Sequence, residues 1–204
     1  MTKLYATAGV IAIAALLGWT SYQIYARQAA DNFAACRSGN VAGGPIGGPF
    51  TLTDETGKAV TDKDVFTKPA LVYFGYASCA DVCPLDNARN VEAASLLAAK
   101  GIDVTPIFIS VDPKRDTPAA LTEYTDNFGP SLEGLTGTPE QIKTAANEYK
   151  VFYQIPDSPG TDYEVQHTTM TYLMLPKTGY ADFFLRDASA EDIAEHTSCF
   201  LKAG

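Results

Sequence analysis

An α/β domain with a mixed central sheet and helices on both faces, set behind an N-terminal transmembrane helix, is what this sequence predicts. Two near-continuous apolar runs, at 70–76 and 102–111, have the pattern of strands buried on both faces. Between them, residues 85–100 are rich in alanine and leucine and stop at Gly101, as a helix closed by a glycine does. A second pair of apolar strands, 170–175 and 181–185, surrounds the turn Pro176-Lys177-Thr178-Gly179. Strand, helix, strand, helices, hairpin and helix in that order make a single domain, and the chain shows no internal repeat.

The remaining elements follow in order. Residues 4–25 contain no charge and are rich in Ala, Ile and Leu. As a helix they would run about 33 Å, enough for a bilayer core of roughly 30 Å. Trp19, Tyr22 and Tyr25 gather at the far end, where amphipathic aromatics favour the membrane interface. Lys3 precedes this segment and Arg27 follows it, and the short basic start favours an exported remainder. A cleaved signal peptide is the rival, but its apolar core normally spans about 7–15 residues. The expected division is therefore an anchor at 1–25, a glycine-rich tether at 26–48 and the domain at 49–204. Within the domain, 50–53 alternates as a strand ahead of the turn Asp54-Glu55-Thr56-Gly57. Asp116-Thr117-Pro118 and Thr138-Pro139-Glu140 each start a helix, with Asp116 the expected cap of the first. Residues 190–201 close the chain as a helix.

With 204 residues the chain has room for one domain with a real core, and its net charge is −9. Only Lys3 is charged in the first 25 positions, so the exported part carries the whole acidic excess. Such a surface excludes nucleic acid and anionic lipid as partners bound by bulk charge.

Cys79 and Cys83 stand directly between the run 70–76 and Pro84, at the joint of a buried strand and a helix start. Unpaired N–H groups and a partial positive charge at a helix N-terminus stabilise a thiolate. Three residues, Ala80, Asp81 and Val82, separate the cysteines, against two in a common redox motif. The pair suits thiol–disulfide exchange or a soft metal ion, and alone it does not decide between them. Cys36 and Cys199 lie near the two ends of the exported part; an oxidising compartment leaves them either bonded to each other or as two separate thiols.

His167, one of two histidines, sits at the mouth of the strand expected near Met170. Two thiolates and an imidazole make a soft three-donor set suited to Cu(I), with tolerance of Cu(II). Structural zinc sites usually take four protein ligands, and no fourth is evident. Met170 and Met174 share strand spacing with Tyr172 and read as core. His196, beside Glu195, reads as solvated.

At these residues the chain resembles the Sco/SenC family. Tyr73-Phe74-Gly75-Tyr76 leads into Cys79-Ala80-Asp81-Val82-Cys83-Pro84; then come Ser110-Val111-Asp112-Pro113-Lys114-Arg115-Asp116-Thr117-Pro118 and His167 ahead of Tyr172-Leu173. The resemblance covers roughly 50–201. It implies a membrane-anchored, thioredoxin-like copper protein that helps assemble the binuclear copper site of cytochrome c oxidase. Copper ligation by Cys79, Cys83 and His167 is implied, together with a copper-bearing oxidase subunit, an upstream copper donor and a thiol reductant as partners. The expected location is the inner membrane, with the domain in the periplasm. The family's paired carboxylates fall on Asp112 and Asp116, associated with copper transfer or docking; as plain sequence they also read as a turn and a helix cap. The alternative is a thiol–disulfide oxidoreductase acting on the oxidase's copper-ligand cysteines, with Cys79 and Cys83 as its redox pair and no need of His167.

Overall fold

Three strands from distant parts of the sequence make the floor under the cysteines. The computed structural model describes residues 13–23, 33, 35–37, 45–157, 160 and 162–203. In chain order the strands are β1 (Thr51–Asp54), β2 (Ala59–Thr61), β3 (Ala70–Gly75), β4 (Thr105–Ser110), β5 (Glu133–Thr136), β6 (Tyr153–Gln154), β7 (Gln166–His167), β8 (Thr171–Leu175) and β9 (Gly179–Phe184). The domain's helices are α1 (Asp62–Val65), α2 (Val82–Ala98), α3 (Pro118–Thr125), α4 (Pro139–Glu148) and α5 (Ala190–Ala203), with a 3-10 turn at Asp126–Phe128.

The main sheet has the order β2-β1-β5-β4-β3-β8-β9. β3, β4 and β5 run parallel; β8 pairs antiparallel with β3, and β1 antiparallel with β5. β3 is central and buried along its whole length, as its apolar run requires. Its side chains feed two cores. Leu71 clusters with Leu97 of α2 and Ile193 of α5, while Val72 and Phe74 join Ile142 and Tyr149 from α4 and the residue after it. Helices therefore cover both faces of a mixed sheet, as the sequence predicts.

Five short elements differ from expectation. β5 reads Glu-Gly-Leu-Thr, too brief and polar to show as an apolar run, and it is completed by a side chain: Glu55 accepts from Gly134 N–H at 3.1 Å. β2, α1 and the β6–β7 pair are two to four residues long and carry no periodicity to detect. The cap of α3 is also different. Thr117, not Asp116, takes the N-cap position and accepts from Ala120 N–H, because the Asp116 side chain is turned inward.

Much of the expected anchor (1–25) and tether (26–48) lies outside the described residues. Residues 13–23 form a helix. Among the described residues, no helix is long and apolar enough to cross a membrane.

Candidate metal centre

β3 ends at Gly75, and the chain turns through Tyr76–Asp81 into α2. Helix α2 begins at Val82, three residues ahead of the expected start at Leu85, so Cys83 and Pro84 occupy its first turn. Pro84 has no N–H to leave unpaired there. Cys79 lies in the turn before the helix, its own N–H donating to the Tyr76 carbonyl at 3.2 Å. Its sulfur accepts from Cys83 N–H at 3.4 Å, one of the orphan donors of the helix start. Asp81 holds the N-cap position but makes no side-chain cap hydrogen bond.

Cys83 needs a space that only glycine leaves. A Cβ on Gly75 would lie 2.8 Å from the Cys83 sulfur and 2.9 Å from the Phe108 ring. The Cys83 side chain is fully buried, and Cys79 is 8 % exposed.

His167 arrives on β7, which is not part of the main sheet. It is held by pairing with Tyr153 of β6, with Thr168 N–H donating to the Phe152 carbonyl next to it. One ring nitrogen, Nδ1, lies 3.0 Å from the Thr168 carbonyl oxygen. A carbonyl only accepts, so Nδ1 carries the proton and Nε2 keeps its lone pair. That Nε2 lies 3.4 Å from the Cys83 sulfur. The ligand atoms of Cys79, Cys83 and His167 all lie within 4.8 Å of one another. Residues 84 positions apart in the chain thus meet at one point.

The groups differ in their readiness to ionise. Burial raises the Cys79 thiol, but N–H donation from Cys83, with Asp81 and Val82, outweighs it and holds the pKa below the ordinary value. Burial pushes Cys83 up, and the neighbouring Cys79 sulfur adds to this. Burial lowers His167 against the opposing pull of the Thr168 carbonyl, which favours the neutral ring that can ligate. Tyr76 is pushed up to about 12 by burial and by the Cys79 charge, so it stays a neutral phenol.

Several supporting residues escaped sequence reasoning. The rings of Tyr73 and Tyr76 stand perpendicular to that of His167 at 6.1 and 5.8 Å and pack against it. The Arg115 guanidinium lies over Tyr163 at 3.7 Å and over Tyr76 at 5.3 Å. Asp86, one turn past Cys83, is buried and paired with Arg89 at 3.1 Å and Arg186 at 3.5 Å. Nothing in the spacing of these residues marks them. The two tyrosines lie in plain sight within the apolar run, where aromatic core is the ordinary reading.

Asp112 and Asp116 are 0 % and 1 % exposed. Asp112 pairs with Arg115 and accepts from the Tyr163 hydroxyl at 3.0 Å. Asp116 accepts from Ala77 N–H at 2.9 Å and from the Ser110 hydroxyl. Asp116 is therefore anchored beneath the loop that carries Cys79, whereas Asp112 holds Arg115 and Tyr163. Met174 is buried and Met170 packs on the same cluster, as core residues. His196 is half-buried with its ring edge-on to Phe184 at 6.3 Å, rather than solvated. Cys36 and Cys199 are bonded to each other.

The architecture and the convergence of two cysteines with one histidine define a thioredoxin-like protein with a soft metal centre. The SCO1/SenC family model matches residues 39–202, and the chain belongs to that family. It is 52 % identical to protein SenC of Rhodobacter capsulatus over 99 % of this chain and 92 % of that one. The structure of Arabidopsis thaliana ScoI with copper bound superposes with a TM-score of 0.73 at 37 % identity, covering 77 % of this chain and 99 % of the other. That of Bradyrhizobium japonicum ScoI, also with copper bound, gives 0.68 at 40 % identity over 75 % and 98 %. Relatives of this chain hold copper, and its own Cys79, Cys83 and His167 form a cluster able to hold a metal ion.

Proposed function

We propose that the chain takes one copper ion onto Cys79, Cys83 and His167 and passes it to the binuclear copper site of cytochrome c oxidase during assembly. The observation that carries this reading is the meeting of two sulfurs and an unprotonated Nε2 within 4.8 Å. The set matches a soft ion. Both sulfurs must be reduced and deprotonated to bind, so loading calls for a thiol reductant as well as a copper donor. A related Sco protein is described as a member of a family of cytochrome c oxidase assembly proteins, which supports this assignment.

The surface around the site favours a protein acceptor. Outside the N-terminal helix, the exposed large apolar side chains among the described residues are Leu85, Phe152, Ile155 and Leu185. Leu85 follows Cys83 on α2, and Phe152 is hydrogen-bonded to the residue after His167. Leu185 precedes Arg186, which pairs with Asp86. An apolar collar round a metal centre suits a partner that must come close enough to exchange ligands. For Asp116 we propose a part in transfer through the Cys79 loop that it holds, and for Asp112 a part through Arg115, which lies over Tyr76. We further propose that residues 4–25 anchor the chain in the cytoplasmic membrane, with the domain in the periplasm.

Copper content and absorption spectrum of the reduced protein, beside its His167→Ala variant, test the central reading. One copper per chain, with binding weakened and the spectrum altered by His167→Ala, is the expected outcome. Unchanged stoichiometry, affinity and spectrum would rule out the three-ligand site. A second reading, reduction of the oxidase's own cysteines, is favoured by the asymmetry of the pair: Cys79 is ready to attack and Cys83 is buried behind it as a resolving thiol. Assembly activity that persists in His167→Ala after copper binding is lost would favour that reading.

A further inference from the structure

The domain is held a second time, at the end far from the metal. Cys36 is bonded to Cys199, with their Cα atoms 5.6 Å apart. Cys36 N–H donates to the Phe33 carbonyl at 2.9 Å, and the Phe33 ring meets that of Phe200 at 5.3 Å. Further along, Gly47 N–H donates to the Glu148 carbonyl at 2.8 Å, and Gly47 lies against Met174 and Tyr180. Both attachments of the incoming chain are thus at the end of the sheet where β3 begins and β8 turns into β9. There an apolar groove is lined by Phe33, Pro69, Leu175, Pro176, Phe200 and Leu201, with Lys177 on its rim and Lys202 exposed beside Leu201. Pro69 immediately precedes β3, whereas Gly75 at its other end touches Cys83. A strand of six residues separates groove from metal centre by about 20 Å.

Chain length limits what can cover the groove. From residue 23, the end of the described N-terminal helix, to Phe33 the chain reaches at most ~35 Å; to a first hold at Ile46 it would reach ~80 Å. That helix exposes Ile13, Leu16, Leu17, Trp19 and Tyr22. We infer that the pole carrying the Cys36–Cys199 bond is a lipid-facing base: the shortened tether holds its groove and lysines against the bilayer surface, and the metal centre faces away from the membrane. This rests on the proposed membrane anchor. It means that copper is offered at a fixed height above the bilayer, to an acceptor that projects from the same membrane.

The test uses the full chain in phosphatidylcholine–phosphatidylglycerol vesicles, with the photocrosslinker p-benzoylphenylalanine placed either at Thr178 in the base or at Leu85 beside the metal centre. After flotation and illumination, lipid adducts are counted by mass spectrometry. At least tenfold more adduct from Thr178 than from Leu85 is expected. A chain that does not float overturns the anchor and this inference together. A chain that floats but crosslinks equally from both positions overturns the orientation alone. In the double variant Cys36→Ser, Cys199→Ser the preference should fall below threefold, and a preference that stays tenfold removes the disulfide from the account.

Discussion

Two cysteine pairs stand at opposite ends of β3, and they are built in opposite ways. Cys79 and Cys83 are close in sequence, unbonded, and set at a helix start where backbone N–H groups reach sulfur. Cys36 and Cys199 are 163 residues apart and bonded, in a cluster with Leu71, Leu97 and Phe200. A bond across so long a loop removes much of the freedom of the unfolded chain, whereas a bond across three intervening residues restrains little of it. The distant pair is therefore suited to holding the fold, and the near pair is left for chemistry. N–H donors keep Cys79 of the near pair reactive, and apolar packing surrounds the bonded distant pair.

The sharpest way to break this contrast is to delete each pair in turn. Cys36→Ser with Cys199→Ser should cost about 2–5 kcal/mol in urea unfolding while leaving copper stoichiometry at one. Cys79→Ser with Cys83→Ser should abolish copper binding and, because it buries a serine hydroxyl at position 83 in an apolar site, cost about 1–3 kcal/mol in the reduced protein. Copper lost in the first variant, or a collapse of stability in the second, would mean that the two ends are not independent. Gly75→Ala comes next, because it crowds the reactive end without replacing a ligand. Overpacking against the Cys83 sulfur should cost about 1–3 kcal/mol and weaken copper binding about tenfold. Normal affinity in that variant would show that Cys83 has room to shift.

Differences in ionisation allow a finer measurement within the near pair. Thiolate is the reactive form, so alkylation speeds up as pH rises through the thiol pKa. Because the Cys79 pKa is lowered from the ordinary value, its rate profile should be displaced to lower pH and it should be labelled first. Cys83, raised and buried, should react at least about tenfold more slowly, in the wild type and in Cys79→Ser. Equal rates at neutral pH would remove the asymmetry that favours the exchange reading.

How much of this was legible in the sequence depends on the range of each interaction. β3, β4, α2 and the β8–β9 hairpin were readable because burial on both faces and helix-stop chemistry are written into neighbouring residues. Cys79 and Cys83 were readable for the same reason, their local setting at a strand–helix joint. His167 was placed by the sheet the strand order implies, at the mouth of the strand near Met170; the β6–β7 pairing that holds it is two residues per strand and leaves no pattern. Both fates of Cys36 and Cys199 were open, since connectivity is a property of the folded chain. The roles of the walls were not legible: Tyr73, Tyr76 and Arg115 stand in the blocks that carry the resemblance, but the tyrosines matter through His167 and the arginine through Tyr76, and spacing does not encode such contacts. Asp116 was misplaced as a cap because Asp-Thr-Pro offers two capping side chains, and only the fold turns one of them inward.

Asp116 also gives the smallest expected effect and a direct probe of what the loop beneath the near pair needs. Both its hydrogen bonds, from Ala77 N–H and from the Ser110 hydroxyl, end on the same oxygen, Oδ2. Asp116→Asn can keep that acceptor, so it should change stability by no more than about 0.5 kcal/mol, whereas Asp116→Ala leaves a buried N–H unpaired and should cost about 1–3 kcal/mol. Burial raises the Asp116 pKa, against the Ser110 hydrogen bond and with help from the Asp112 charge. The folded state therefore binds the proton more tightly than the unfolded chain. Its contribution is fully present below the unfolded value near 3.8 and is lost as pH rises through the folded value. Asp116→Asn should flatten that part of the stability profile. If instead Asp116→Asn folds normally, binds copper normally and fails to deliver it, the carboxylate's charge is required in transfer itself, and the near pair depends on more than the position of its loop.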